Sequence, residues 1–331
     1  MMEEIVPPGE AAEINKLLGR MRDMMSVRDQ RKVQRRDVHV KMHALVRAEF
    51  TVADDLPLDL RLGLFARPTT YKAWVRFSNS NNEPQADRKR DIRGMAVKVM
   101  GVPGRKELAA EVDAQTHDFV LISAPVFPSS TPGQFDELAA AILGTLAHRL
   151  FYFLAHPRVA LVLFSMMKKH ANILQIPYFS AVPYRFGTQA VKYVATPRVE
   201  VPDKLPSYPR DDFLREAAAA QLSKGDAVFD LAVQFQRDEA SMPIEDPSRA
   251  WSPILSPPRK VASVRIPKQD FDRKAIDDFG ENLSFTPWHC LPEHRPLGAI
   301  NRARKVIYET LSIFRHRVNG VVRAEPEGGK V

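Results

Sequence analysis

At 331 residues and 44% hydrophobic content, the chain is long enough for one large domain or two medium ones, with a sizeable buried core. Lys and Arg number 48 against 40 Asp and Glu, a formal charge of +8. The basic residues are scattered, which argues against nucleic acid as a partner and suits sites for carboxylates. The single cysteine, Cys290, excludes an internal disulfide and any Cys-rich zinc or iron–sulfur centre, and fits a reducing, cytoplasmic setting.

The first ten residues, MMEEIVPPGE, are acidic and Pro-rich and lack the charged-then-apolar pattern of a signal. Residues 11–31 predict a helical arm with apolar positions at Ile14, Leu17, Leu18, Met21, Met24 and Met25, lying over another part of the fold or over a second subunit. Residues 36–52 alternate apolar and polar, the pattern of a strand with one face on a core. His39 and His43 then share the polar row about 13 Å apart, too far to chelate one metal. Strands follow at 73–78, 91–99 and 119–122, where Gly94 reads as a bend or a close approach of the backbone.

Residues 134–150 and 157–169 predict helices. The apolar run 150–167 is interrupted by His156, Pro157 and Arg158, so it fails the roughly 20-residue requirement for a membrane span. It reads as a buried or partner-facing helix or, secondly, as one that touches a lipid surface. Residues 198–225 are polar and Pro-containing and predict a surface wrap. Strands are expected at 184–196, 228–236 and 260–266, and a flexible tail at 321–331. Hairpin-like strands, then helices, then strands give an α+β chain on a mainly antiparallel sheet. Regular βαβ alternation and a GxGxxG are absent, which excludes a dinucleotide fold.

Residues 301–320, NRARKVIYETLSIFRHRVNG, carry apolar residues at helical spacing and end on Asn319-Gly320, a helix stop. Arg304 and Tyr308 are four apart and share a face. A guanidinium against a phenol favours the phenolate. A phenolate is a hard anionic oxygen suited to ferric iron, and tyrosine is one of the few proximal ligands that proteins give to haem.

Four separated pieces, in chain order, resemble one family. RDVH at 36–39, VRFS at 75–78 followed by RDIRGMAVKV at 90–99, and RARKVIY at 302–308 resemble the corresponding runs of haem catalases. The match covers roughly residues 33–320, with 1–32 as an N-terminal helical arm and no room for the extra C-terminal domains of full-length catalases. The chain looks like the short, single-domain catalase-related haem proteins, a group that also includes peroxidases and allene oxide synthases.

The resemblance implies an antiparallel catalase-like β-barrel with surrounding helices, holding ferric haem b. It implies Tyr308 as axial ligand with Arg304 keeping it ionised, and His39 as the distal catalytic residue. Arg36, Arg76 and Arg315 would meet the propionates. Phe127 would pack on the distal haem face, and Val38 stands beside His39 as valine does in catalases, where the allene oxide synthase pattern has threonine. The implied activity is reduction of hydrogen peroxide or an organic, possibly fatty-acid, hydroperoxide with a small-molecule electron donor. Alternatives are a lipid hydroperoxide isomerase or dehydratase, or a non-enzymatic haem-binding protein. One departure stands out: where catalases place a distal Asn, this chain reads Gln115-Thr116-His117-Asp118. Gln115 or Thr116 would have to replace it, which moves weight from catalase toward peroxidase chemistry. The arm and the apolar run suggest a homo-oligomer.

Overall fold

Eight antiparallel strands close into a ring in this computed structural model, which describes residues 4–27, 35–199, 204–323, 325 and 326. Strand β1 (Met42–Val52) pairs with β2 (Thr70–Asn79), which pairs with β3 (Arg93–Met100), then β4 (Thr116–Ile122) and the short β5 (Tyr178–Phe179). The ring continues through β7 (Gln189–Pro197), β8 (Ala227–Phe235) and β9 (Arg259–Ile266), which pairs back with β1. A further strand, β6 (Tyr184–Phe186), hangs on β7 alone as a hairpin. The residues 184–196 expected as one strand are therefore two, because Gly187 turns the chain at a left-handed φ of 63°. Closure leaves no free edge and fills the inside with side chains. Aromatic rings dominate there: Phe50 stacks on Phe119 at 5.7 Å and Phe77 meets Phe229 at 6.2 Å.

Seven α-helices surround the barrel among the described residues. Helix α1 (Glu10–Val27) is the predicted arm; the last residues expected in it, 28–31, lie outside the described ones. Its Ile14, Leu17, Met21 and Met25 bury against Ala303, Ile307 and Leu311 of α7 (Ala299–Val318). The arm's apolar stripe is thus covered by its own chain. Between them in sequence come α2 (Pro132–Leu143), α3 (Leu146–Ala155) and α4 (Pro157–Met166). The single helix expected at 134–150 is two, broken at Gly144 with Thr145 capping α3 through His148 N.

Two helices fall where none was expected. Helix α5 (Phe213–Leu222) lies in the supposed surface wrap and sinks Phe213, Leu214, Ala218 and Leu222 into the main core. Helix α6 (Lys274–Asn282) crosses β1. The tail also departs from expectation. Arg323 pairs with Glu111 at 2.5 Å, and Glu325 pairs with the buried Lys98 at 2.7 Å.

Candidate active site

Strand β1 starts at Met42, six residues later than the alternation suggests. A bulge between Met42 and Ala44 breaks the register with β2, and bulges re-aim side chains. His43 turns inward, fully buried, with Nε2 2.6 Å from Asn79 Oδ1, so it does not share a row with His39. His39 itself adopts a left-handed backbone, φ 58°, which is uncommon outside glycine. Three contacts hold it there. Its N–H donates to Ser80 O at 3.2 Å, its carbonyl accepts from Arg76 Nη2 at 2.9 Å, and its Nδ1 lies 3.0 Å from Ser78 Oγ. The ring rests on Gly94, where a Cβ would come within 2.6 Å of two ring atoms. Burial, then the charges of Arg76, Arg304 and Arg36, pushes its pKa down to about 3. His39 is therefore a neutral imidazole at ordinary pH, half-buried and with Nδ1 engaged.

On α7, Arg304 Nη2 donates to the Tyr308 hydroxyl at 3.1 Å, as the four-residue spacing predicts. Its Nη1 donates to Asn301 Oδ1 at 3.1 Å. Asn301 is fully buried and fixed by Nδ2 bonds to Pro183 O and Leu297 O. Burial works against the charge on Arg304, but Tyr308 and Tyr184 outweigh it and raise its pKa. Arg304 thus ties the two halves together: it bonds Tyr308 and bears on the ionisation of His39.

Arg36, Arg76 and Arg315 form a basin beside this pair. Arg36 Nη1 is 3.6 Å and Arg76 Nη2 is 3.8 Å from opposite oxygens of Glu281. The end of α6 supplies carbonyls: Arg36 donates to Gly280 O at 3.1 Å and to Leu283 O, and Arg315 donates to Glu281 O. Cations suit a helix C-terminus because its last carbonyls are free and carry partial negative charge. The basin still holds an excess of cation. Burial first, then repulsion from Arg36, brings Arg76 down to about 9 and Arg315 well below the usual guanidinium value. Arg36 Nη1 and Arg76 Nε are buried and hydrogen-bond nothing among the described residues. Orphaned guanidinium donors in a cation-rich basin fit a ligand bearing carboxylates, since Arg binds them in forked geometry.

The remaining expected residues are placed less closely. Val38 sits half-buried beside His39. Phe127 meets Phe135 of α2 at 5.1 Å, and Phe135 packs on the same α1–α7 cluster as Tyr308. Thr116 lies at the end of β4 remote from His39. It pairs with Met100, whereas Gly94, which touches His39, pairs with Ile122. Its hydroxyl bonds His289 Nε2 and Glu325, both at 2.6 Å. Gln115 bonds Asp113 O. His117 and His294 are buried among aromatic rings 5.6 Å apart, and Arg93 is buried on Asn79 and on the carbonyls of Asp87 and Lys89. Burial pushes the Cys290 thiol well up, so it stays protonated. A separate cleft of about 820 Å³ opens at the other end of β1, lined by residues such as Thr51, Asp54, Arg259 and Lys260, and shares no residue with the site.

Sequence reasoning did not single out Ser78, Asn301 or Glu281. Ser78 and Asn301 stand inside the stretches 75–78 and 301–320 that drew attention, so position in a motif was a usable signal. Glu281 offered none, because its helix was not expected.

A ring of eight antiparallel strands surrounded by seven helices among the described residues is a catalase-like fold. Solved structures with this architecture include a fungal catalase (TM-score 0.69, 16% identity, 90% of this chain and 64% of that one) and a bacterial catalase (0.70, 16%, 91% and 62%). Catalase A from Saccharomyces cerevisiae aligns with TM-score 0.68 and 17% identity over 92% of this chain and 68% of that one. The chain spans less than two thirds of the fungal and bacterial catalases. No protein-family model and no curated protein sequence matches it.

Proposed function

We propose that the protein binds haem b at this site and reduces hydrogen peroxide or an organic hydroperoxide, using a small-molecule electron donor. The observation that carries the reading is the convergence of Arg304, bonded to Tyr308, with a neutral His39 and a basin in which three guanidiniums face the single carboxylate of Glu281. Tyr308 would offer its oxygen to the iron, and Arg36, Arg76 and Arg315 would receive the propionates. Bound there, ferric haem supplies the electron transfer that peroxide reduction needs.

The chain's own residues handle protons and position. Ser78 holds His39 Nδ1, which leaves Nε2 as the ring nitrogen for the peroxide. A neutral imidazole there takes the proton from the near peroxide oxygen and returns it to the far one. Arg304, which donates to the Tyr308 hydroxyl, would stabilise negative charge on that oxygen in the haem-bound protein. The test is steady-state peroxide turnover of haem-loaded protein. His39→Ala is expected to lose about 10²- to 10⁴-fold in turnover while haem stays bound; equal turnover in the variant contradicts the assignment. Product analysis with a fatty-acid hydroperoxide separates reduction from isomerisation or dehydration, and haem binding without turnover of any peroxide marks a non-enzymatic carrier.

A further inference from the structure

Helices α3 and α4 are almost bare. Each buries a single residue, Tyr152 and Met166. They meet at His156 with a bend of 107° and neither is long enough to cross a membrane. The inner side is rooted in the protein. Phe153, Val159 and Leu163 pack on α2, and Val162 and Met167 pack on Ile92, Ala124 and Val126. The outer side carries Leu146, Leu150, Phe151, Leu154, Leu161 and Phe164, between 57% and 80% exposed. So large an apolar stretch in water marks an interaction surface.

Charge identifies the occupant. From Leu138 to Val199 the sequence has no Asp or Glu, while Arg149, Arg158, Lys168 and Lys169 flank the apolar residues and are exposed. Arg90 adds a fifth cation, its guanidinium 5.0 Å over the Phe164 ring. A second copy docked by two-fold symmetry would set this basic face on itself, five cations against five, with Glu137, an exposed acid beside Tyr152, too little to offset them. An anionic lipid surface satisfies both features: apolar side chains enter the acyl boundary, and Lys and Arg stems reach back to headgroup phosphates. We infer that the α3–α4 hairpin seats the protein on an anionic lipid surface. The inference stands apart from the haem reading. The hairpin is rooted at Ile92, two residues from Gly94, so it would bring the His39 side of the barrel close to that surface.

The test is co-sedimentation of the full chain with vesicles of phosphatidylcholine alone and of phosphatidylcholine mixed equally with phosphatidylglycerol. Binding to the mixed vesicles is expected to be tighter by roughly three orders of magnitude, as four or five cations near an anionic surface imply, and to weaken in high salt. The triple variant Phe151→Ser, Leu154→Ser, Phe164→Ser should fold, by circular dichroism, and lose vesicle binding. The charge reversal Arg158→Glu with Lys169→Glu keeps the apolar face and should lose the preference for phosphatidylglycerol, which decides the matter if the triple variant misfolds. Failure of the wild type to bind either vesicle overturns the inference. So does a dimer in sedimentation velocity that the triple variant dissociates, because the face then belongs to a second copy.

Discussion

His39 is held in a conformation that costs a non-glycine residue roughly 1–3 kcal/mol. The surroundings over-determine it: Ser80 fixes its N–H, Arg76 its carbonyl, Ser78 its ring nitrogen and Gly94 its ring face. Gly94 is the residue to change. A methyl there would meet the imidazole at 2.6 Å, well inside van der Waals contact, and the ring must move. Gly94→Ala is expected to leave the barrel folded and to cut peroxide turnover by about 10²-fold, the usual cost of a misplacement near 1 Å. Circular dichroism together with kcat/KM checks this; unchanged kcat/KM would show that the imidazole position does not matter. The same residue shows the reach of sequence reasoning. The RDVH run located His39, but alternation carried the strand on through it, because a bulge and a left-handed backbone leave no trace in a period-two pattern.

At the level of elements, the longer strands and α7 were legible because their apolar residues keep a regular spacing, whereas β5, two residues long, was not expected and β6 was read as one strand with β7. Helix α5 was hidden by its polar, Pro-containing flanks, although Ala217 to Ala220 carry strong helix propensity and Phe213, Leu214, Ala218 and Leu222 line one buried side. Its entry is fixed by Asp87, which accepts from Leu214 N at 3.0 Å. Leu214 is fully buried in the main core. Leu214→Ala is expected to destabilise the protein by about 2–5 kcal/mol, read from urea unfolding; a loss near zero would mean α5 does not belong to the core. Helix α6 was illegible for the opposite reason. Apart from Glu281, its DDFGEN segment is made of weak helix formers, and tertiary packing on β1 holds it. The site depends on it, because its last carbonyls orient Arg36 and Arg315 and its Glu281 sits between Arg36 and Arg76.

The whole molecule keeps several histidines neutral and buried, and this sets its response to acid. His43 and His294 are held down to about 3 by burial, against 6.5 in the unfolded chain. Depressed histidine pKa values favour the fold above about pH 6.5, and that advantage drains away as pH falls toward 3, since only the unfolded chain takes up the protons. Each such group contributes a slope approaching about 1.4 kcal/mol per pH unit in that window. His294→Gln should therefore flatten the fall of unfolding free energy between pH 6 and 4.5, measured by denaturant titration; an unchanged slope contradicts it. On the proposed function, the barrel, the basin and the pair on α7 would together hold a haem, with Tyr308 offering its oxygen to the iron and the neutral His39 handling protons. The most direct measurement is the visible and electron paramagnetic resonance spectrum of protein reconstituted with ferric haem, wild type beside Tyr308→Phe. The account predicts a phenolate-ligated ferric spectrum in the wild type, and in the variant its loss with weakened haem retention. A variant with the wild-type spectrum and wild-type haem retention would contradict it.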